Sequence, residues 1–391
     1  MDFRKLEEIQ KAIREEKLDG WLFCNFRHRD KLSDEILSIQ PGVSNSRLWV
    51  YAVPAAGPRS GILKLVSRVE EDILGGLPGE KVPYTGRAEL LSGLKALGGK
   101  RWGVHSSATL TAISWLDAGT ADLLKEAGLT LVSAAGLVQR FKGLLDGEGT
   151  ASHERAAAHL YETVSLAWEK VRRAYDRKET VEEADIQTFF MSEFEKRKLI
   201  TDHPPIIAAG ANSGNPHYEV RNSAKFKNGD VIQFDIWAKE PDGINADISW
   251  IGFYGSEVPP GIEKRFNDLV SAREAGLAFI GGELAAKRRP SGAGVDGVVR
   301  ERLISLGYEN AIRHRTGHGI DTEVHGSGVN IDSVEFPDDR LLLDGSCFSL
   351  EPGIYFSEYG LRTEIDVYIQ NGKPVVSGGK RQFKLLTCAN E

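Results

Sequence analysis

Residues 231–253 read VIQFDIWAKEPDGINADISWIGF. Two apolar runs, one carrying Asp235 and the other Asp247, lie on either side of the turn signal Pro241-Asp242-Gly243. The pattern predicts strands over 231–238 and 244–254 folded as an antiparallel hairpin that brings the two carboxylates side by side. Residues 350–369, LEPGIYFSEYGLRTEIDVYI, repeat the plan, with Glu351 and Glu364 flanking Ser357-Glu358-Tyr359-Gly360. This second stretch predicts strands over 342–356 and 361–370. A carboxylate isolated in an apolar strand is costly unless it meets a cation, a hydrogen-bond network or a raised pKa. Four such acids in paired strands therefore point to a shared cation site.

Between the hairpins lies HRTGHGIDTEVHG, residues 314–326, which places His314, His318 and His325 in one short segment. Gly317 and Gly319 flank His318 and allow the backbone to approach closely, as a metal site or substrate cleft requires. Asp235, Asp247, His318, Glu351 and Glu364 together offer hard oxygen donors and one nitrogen. That set favours Mn, Co, Fe or Zn over a thiolate-selective metal. Two such ions a few Å apart would lower the pKa of a shared water and polarise a carbonyl.

With 391 residues, two domains are the reasonable expectation. A net charge of −7 and the lack of any Lys/Arg block argue against nucleic acid as a partner. Cys24, Cys347 and Cys388 are scattered and show no CxxC spacing, which fits a reducing compartment and excludes a disulfide framework. The charged amino terminus has no apolar signal core, and no run approaches the roughly 20 apolar residues of a membrane span. These features predict a cytoplasmic protein without a membrane partner.

Leu6, Ile9 and Ile13 recur at helical spacing, and apolar runs at 20–26, 48–53, 61–66 and 102–105 read as strands. With helices over 109–127 and 137–145 they predict an α/β domain over 1–145 that holds no catalytic cluster and serves structure or oligomerisation. A glycine-rich hinge near 140–150 leads to a second domain, 150–391. There a helix pair (150–178 and 180–198) precedes the first hairpin, and a second pair (261–285 and 293–306) precedes the second. Two related halves facing each other are expected.

These residues resemble the pita-bread metallopeptidases, the family of methionine aminopeptidase, aminopeptidase P and prolidase. The matching series is HYEVRN from His217, GDVIQFD ending at Asp235, ADIS at Asp247, HRTGHGI at His318, VHG at His325, LEPGIY at Glu351 and LRTEIDV at Glu364. The resemblance spans about 150–390 and implies an α+β pita-bread catalytic domain with pseudo-twofold halves. It also implies two divalent metal ions, with manganese expected first and Co, Zn or Fe as alternatives. Asp235 would bind one ion, Asp247 and Glu364 would bridge both, and His318 and Glu351 would hold the other. By the same resemblance His217 and His325 meet the substrate and transition state, His314 marks the proline-directed branch, and Arg362 supports the ligands. Glu351 would shuttle the proton.

A domain like 1–145 accompanies aminopeptidase P, prolidase and creatinase, where it builds a homodimer and restricts the cleft. The implied activity is hydrolysis of the Xaa-Pro bond in short proline-containing peptides, by a dipeptidase first and an aminopeptidase P as the alternative. A metal-free creatinase-like C–N hydrolase and a non-catalytic pita-bread binding module are the remaining classes, and retention of all five ligands disfavours both. Four departures stand out. Asp235 and Asp247 are one residue further apart than usual, which predicts an extra residue in the turn or a bulge. Trp237 replaces a small residue, and with Tyr218 it is a candidate for the wall of the proline pocket. Trp250 replaces a basic residue, and Gly326 follows His325 in place of an acid.

Overall fold

The computed structural model describes residues 3–40, 42–56, 61–98 and 100–389. The chain divides into two compact units, Met1–Lys142 and Gly143–Glu391.

The first unit runs α1 (Phe3–Glu15), β1 (Gly20–Asn25), α2 (Lys31–Leu37), β2 (Trp49–Pro54), β3 (Leu63–Ser67) and β4 (Glu80–Tyr84). It continues with α3 (Arg87–Lys95), β5 (Arg101–Val104), α4 (Ala118–Glu126), β6 (Thr130–Ser133) and α5 (Ala135–Phe141). The sheet order is β4-β3-β2-β1-β5-β6. Alternation along β1 serves two cores: Trp21 and Phe23 pack with α1 and α5 on one face, while Leu22 and Cys24 join Leu65, Leu94 and Trp102 on the other. The helix expected over 109–127 begins only at Ala118, where the Asp117 side chain caps the Thr120 N–H. Ahead of it, Ser107 Oγ accepts the backbone N–H groups of Thr109 and Leu110 (3.2 and 3.0 Å) and holds the chain out of the helix.

The second unit contains α6 (Gly147–Arg177), α7 (Glu183–Lys196), β7 (Ile206–Ala209), β8 (Val231–Ala238), β9 (Ala246–Phe253), α8 (Pro260–Ala285) and α9 (Gly292–Ser305). The strands β10 (Cys347–Leu350), β11 (Gly353–Tyr355), β12 (Gly360–Arg362), β13 (Ile365–Gln370), β14 (Lys373–Val376) and β15 (Leu386–Thr387) complete it. A helix pair precedes a hairpin twice. Helices α6 and α7 bury Leu160, Val164, Val171, Phe190 and Phe194 against β8 and β9, and α8 and α9 bury Ile280, Val295 and Val299 against the second set of strands. The glycine-rich stretch expected as a hinge is already helical from Gly147, because Asp146 Oδ1 accepts the Gly149 N–H at 2.8 Å.

The β8–β9 ladder is unbroken, from Val231↔Phe253 to Ala238↔Ala246, so the extra residue lies in the turn and no bulge is present. A twelve-residue separation gives Asp235 and Asp247 the same parity, and an unbroken ladder therefore sets both on one face. In register, Asp235 faces Ser249 and Asp247 faces Trp237, so the two acids are diagonal neighbours.

The second hairpin keeps one register throughout, from Cys347↔Tyr368 to Tyr355↔Gly360, but each strand is interrupted at its acid. Pro352 has no N–H to offer the ladder. The Glu351 N–H turns instead to Thr316 O (2.7 Å) and the Glu364 N–H to Ser249 O (3.2 Å). The same diversion that breaks the strands joins this hairpin to the histidine segment and to β9.

Candidate metal centre

Asp235 and Asp247 project from the centre of a sheet and are each 6% exposed. Ser249, directly opposite Asp235, is fully buried, and its Oγ lies 2.6 Å from Asp235 Oδ1 and 3.0 Å from Glu364 Oε2. One hydroxyl thus links an acid of each hairpin. Arg362 is buried beside them: its guanidinium pairs with Asp235, donates to Ser249 Oγ (3.2 Å) and donates to Pro216 O (3.2 Å).

His318 is held by backbone on both sides. Its N–H donates to Ser349 Oγ (3.0 Å), and its carbonyl accepts the Ser349 N–H (2.9 Å). The flanking glycines are required by chain-on-chain packing. A Cβ on Gly317 would lie 2.0 Å from Ser349 O, and one on Gly319 would lie 2.6 Å from the Gly328 backbone. The close approach foreseen for a cleft is thus made to the protein's own strands. With Nδ1 3.3 Å from Gly319 O, Nε2 faces Glu351 Oε1 (3.4 Å) and Asp247 Oδ2 (3.5 Å).

Electrostatics mark the cluster as incomplete. Burial, then repulsion from Asp235 and Glu351, pushes the Asp247 carboxyl well above the usual range. Burial, then Asp247, does the same to Glu364. Burial pushes His318 down, which keeps a lone pair available. Asp247 Oδ1 and Glu364 Oε1 are buried without a hydrogen-bond partner. Oxygen atoms of Asp247 and Glu364 and a ring nitrogen of His318 lie within 4.8 Å of one another. Orphaned carboxylate oxygens converging on an imidazole are the donor set of a divalent cation, so the residues fit such an ion.

The remaining expected residues surround this group. His314 is bound through Nδ1 to Arg315 O (2.6 Å) and through Nε2 to Tyr355 Oη (2.7 Å), and burial lowers its pKa to about 4. His325 lies edge-on to His318, with ring centroids 4.3 Å apart, and that imidazole pushes it down to about 3. His217 is exposed, with its backbone N–H on Asn215 Oδ1 (3.1 Å). Gly326 has a packing reason, since a Cβ there would meet Asp321 Cγ at 2.6 Å and an acid would displace that side chain. The Tyr218 hydroxyl is committed to Glu183 Oε2 (2.7 Å).

Sequence reasoning missed three supporting residues. Ser249 and Asp366 each lie two positions beyond a ligand candidate, so strand parity could have flagged them. Asp366 Oδ2 accepts the Asp247 N–H at 2.7 Å. Glu183 gave no signal, because an acid in the first turn of a helix is ordinary. It is fully buried and accepts from Ala209 N, Asn212 Nδ2, Tyr218 Oη and Ala224 N (2.7–2.9 Å), which clamps the segment carrying His217.

Residues 152–371 match the model of metallopeptidase family M24, more than half of the chain. The chain belongs to this family. It is 28% identical over 223 residues to the Xaa-Pro dipeptidase of Lactobacillus delbrueckii subsp. lactis, covering 56% of each chain. The chain spans about half the length of the curated relatives it matches. Among solved structures, dipeptidase PepE from Mycobacterium ulcerans superposes with a TM-score of 0.73 at 20% identity, over 99% of this chain and 98% of that one. The N-terminal domain of a FACT complex subunit from Cicer arietinum superposes with a TM-score of 0.69 at 14% identity, over 96% of each. These likenesses show the fold: an α/β domain followed by the pita-bread domain of the family. They do not discriminate chemistry, since one fold serves many functions.

Proposed function

We propose that the protein is a dinuclear metal-dependent peptidase that hydrolyses the Xaa-Pro bond of short peptides, with dipeptides as the first substrate class. The observation that carries this reading is the convergence of Asp247, His318 and Glu364, with orphaned oxygens on both acids, in a family of metallopeptidases. The Xaa-Pro dipeptidases among the relatives supply the bond preference.

In this reading Asp235, Asp247, His318, Glu351 and Glu364 hold two divalent ions, manganese first. Bound there, such ions would activate water and polarise the scissile carbonyl. Glu351 is the least enclosed of the acids, its side chain 13% exposed, and it takes the proton from the attacking water and returns it to the leaving prolyl nitrogen. Arg362 neutralises Asp235 and fixes it through Ser249. His325 stands at the open edge beside His318 and stabilises the oxyanion, while His217 and His314 orient the peptide.

Among the described residues no helix is long and apolar enough to cross a membrane, and all three cysteines are free and buried. Both facts suit the cytoplasmic setting proposed here; the homodimer is proposed separately, with the Met1–Lys142 unit making the dimer contact. Sedimentation of the whole protein and of a chain lacking that unit tests the contact, and a monomeric whole protein removes it.

Metal-stripped protein, reloaded with Mn, Co, Zn or Fe, should be assayed on Xaa-Pro dipeptides and Xaa-Pro-Yaa tripeptides. Metal-dependent cleavage of dipeptides alone supports the dipeptidase reading, and cleavage of tripeptides moves the assignment to an aminopeptidase. Turnover that survives exhaustive chelation removes the metal from the chemistry.

A further inference from the structure

Trp237 is the direct cross-strand partner of Asp247. Period-two alternation sets its side chain on the face that carries Asp235, Asp247 and Ser249, so the indole borders the acids of that face beside Asp247. Its ring is not free to swing away. Nε1–H donates to Asp202 Oδ1 at 2.5 Å. The chain bearing Asp202 is itself fixed, because Ile200 and Lys239 exchange backbone hydrogen bonds of 2.8 and 3.0 Å, and Thr201 Oγ1 donates to His203 O at 2.8 Å. Lys239 Nζ donates to Thr322 O at 2.6 Å and ties the same end to the segment leading to His325.

Asp202 serves the ring through Oδ1, its Oδ2 lies 3.4 Å from His203 Nδ1, and its side chain is still 54% exposed. On the Asp235 side of the centre stand cationic and hydrogen-bonding groups instead: Arg362 against Asp235 and the Pro216 carbonyl, and His314 against Tyr355. Asp202 is therefore an exposed carboxylate at the Trp237 end, whereas the Arg362–Asp235 pair at the other end is neutral. A zwitterionic dipeptide carries an ammonium at one end and a carboxylate at the other. Its prolyl carboxylate is repelled by Asp202 and its ammonium is attracted there.

We propose that Trp237, clamped by Asp202, is the wall that limits the side chain preceding proline, and that Asp202 receives the α-ammonium of the same residue. The inference rests on the Xaa-Pro reading above and places Trp237 on the amino side of the scissile bond, away from the proline ring.

The test compares kcat and KM for Gly-Pro, Ala-Pro, Leu-Pro and Phe-Pro on manganese-loaded wild type, Trp237→Phe, Trp237→Ala and Asp202→Asn. The ratio of kcat/KM for Phe-Pro to that for Ala-Pro should rise in the order Trp, Phe, Ala, by roughly tenfold or more at the end of the series. Asp202→Asn keeps an acceptor for the indole and removes the charge, so KM should rise roughly two- to fivefold for every dipeptide with the ratio little moved. Should Trp237→Ala fail to fold, the Trp-to-Phe step and Asp202→Asn still decide the matter. An unaltered ratio across the Trp237 series overturns the wall. A uniform rise in KM for all four dipeptides in that series assigns Trp237 to a part of the site that all four share and also overturns it. An unaltered KM in Asp202→Asn overturns the ammonium contact. A wild type inactive on all four dipeptides overturns the Xaa-Pro reading itself, and the inference with it.

Discussion

Ser249 ties the two hairpins together through one hydroxyl set between Asp235 and Glu364. Ser249→Ala leaves every ligand in place and removes only that link and the acceptor for Arg362 Nε. Manganese affinity, measured by titration calorimetry, should fall roughly 10- to 100-fold, as expected when a ligand's supporting hydrogen bond is lost. Stability should fall by only about 1 kcal/mol. Unchanged affinity would mean that the carboxylates orient themselves. His153, which is not a ligand candidate although its Nε2 lies 3.8 Å from Asp366 Oδ2, gives a pH prediction. It is fully buried, with Nδ1 2.6 Å from Asn245 O and Nε2 2.6 Å from Ser377 Oγ, and burial pushes its pKa below the ordinary 6.5. A depressed histidine stabilises the fold above the unfolded pKa, and that contribution is lost as pH falls from about 6.5 toward the folded value. The urea midpoint of wild type should therefore drop more between pH 7 and pH 5 than that of His153→Gln. Equal drops would show that His153 does not titrate with unfolding.

The first hairpin was legible because β8 and β9 are apolar runs joined by explicit turn residues, and the unbroken ladder then sets both aspartates on one face. The second was legible in register and not in continuity. Its interruptions at Glu351 and Glu364 arise from N–H groups diverted to Thr316 and Ser249, and pairs so distant in sequence leave no local trace. Strands β4 and β6 escaped notice for a different reason. Both lie at sheet edges with mostly exposed or half-buried residues, so they show no apolar period to read. The glycines around His318 were visible, but their partner was not. Gly317→Ala would drive a methyl into Ser349 O, where the neighbour is rigid backbone. It should cost roughly 1–3 kcal/mol by chemical denaturation and weaken metal binding in the same variant, because the ladder it strains carries His318. Wild-type stability in this variant would refute the close packing.

The second unit is built on repetition: helix pair and hairpin, then helix pair and hairpin, with each hairpin supplying two carboxylates and the segment between supplying the imidazole. This plan was readable from the order of elements and from the residues at their centres. The pairing of the two halves was not, because it depends on Ser249 and Asp366, polar residues that look unremarkable in isolation. Nor does the plan by itself separate an enzyme from a binding module, since one fold serves many functions. The separation rests on the five ligand candidates, and on Asp247 most of all, whose Oδ1 is buried and unpartnered. The direct measurement is manganese stoichiometry together with Ala-Pro turnover, made in parallel on wild type and on folded Asp247→Ala. Two manganese ions per chain with turnover in wild type, and both lost in the variant, is the expected result. Full turnover in Asp247→Ala, or wild type that binds no divalent ion, would contradict the assignment.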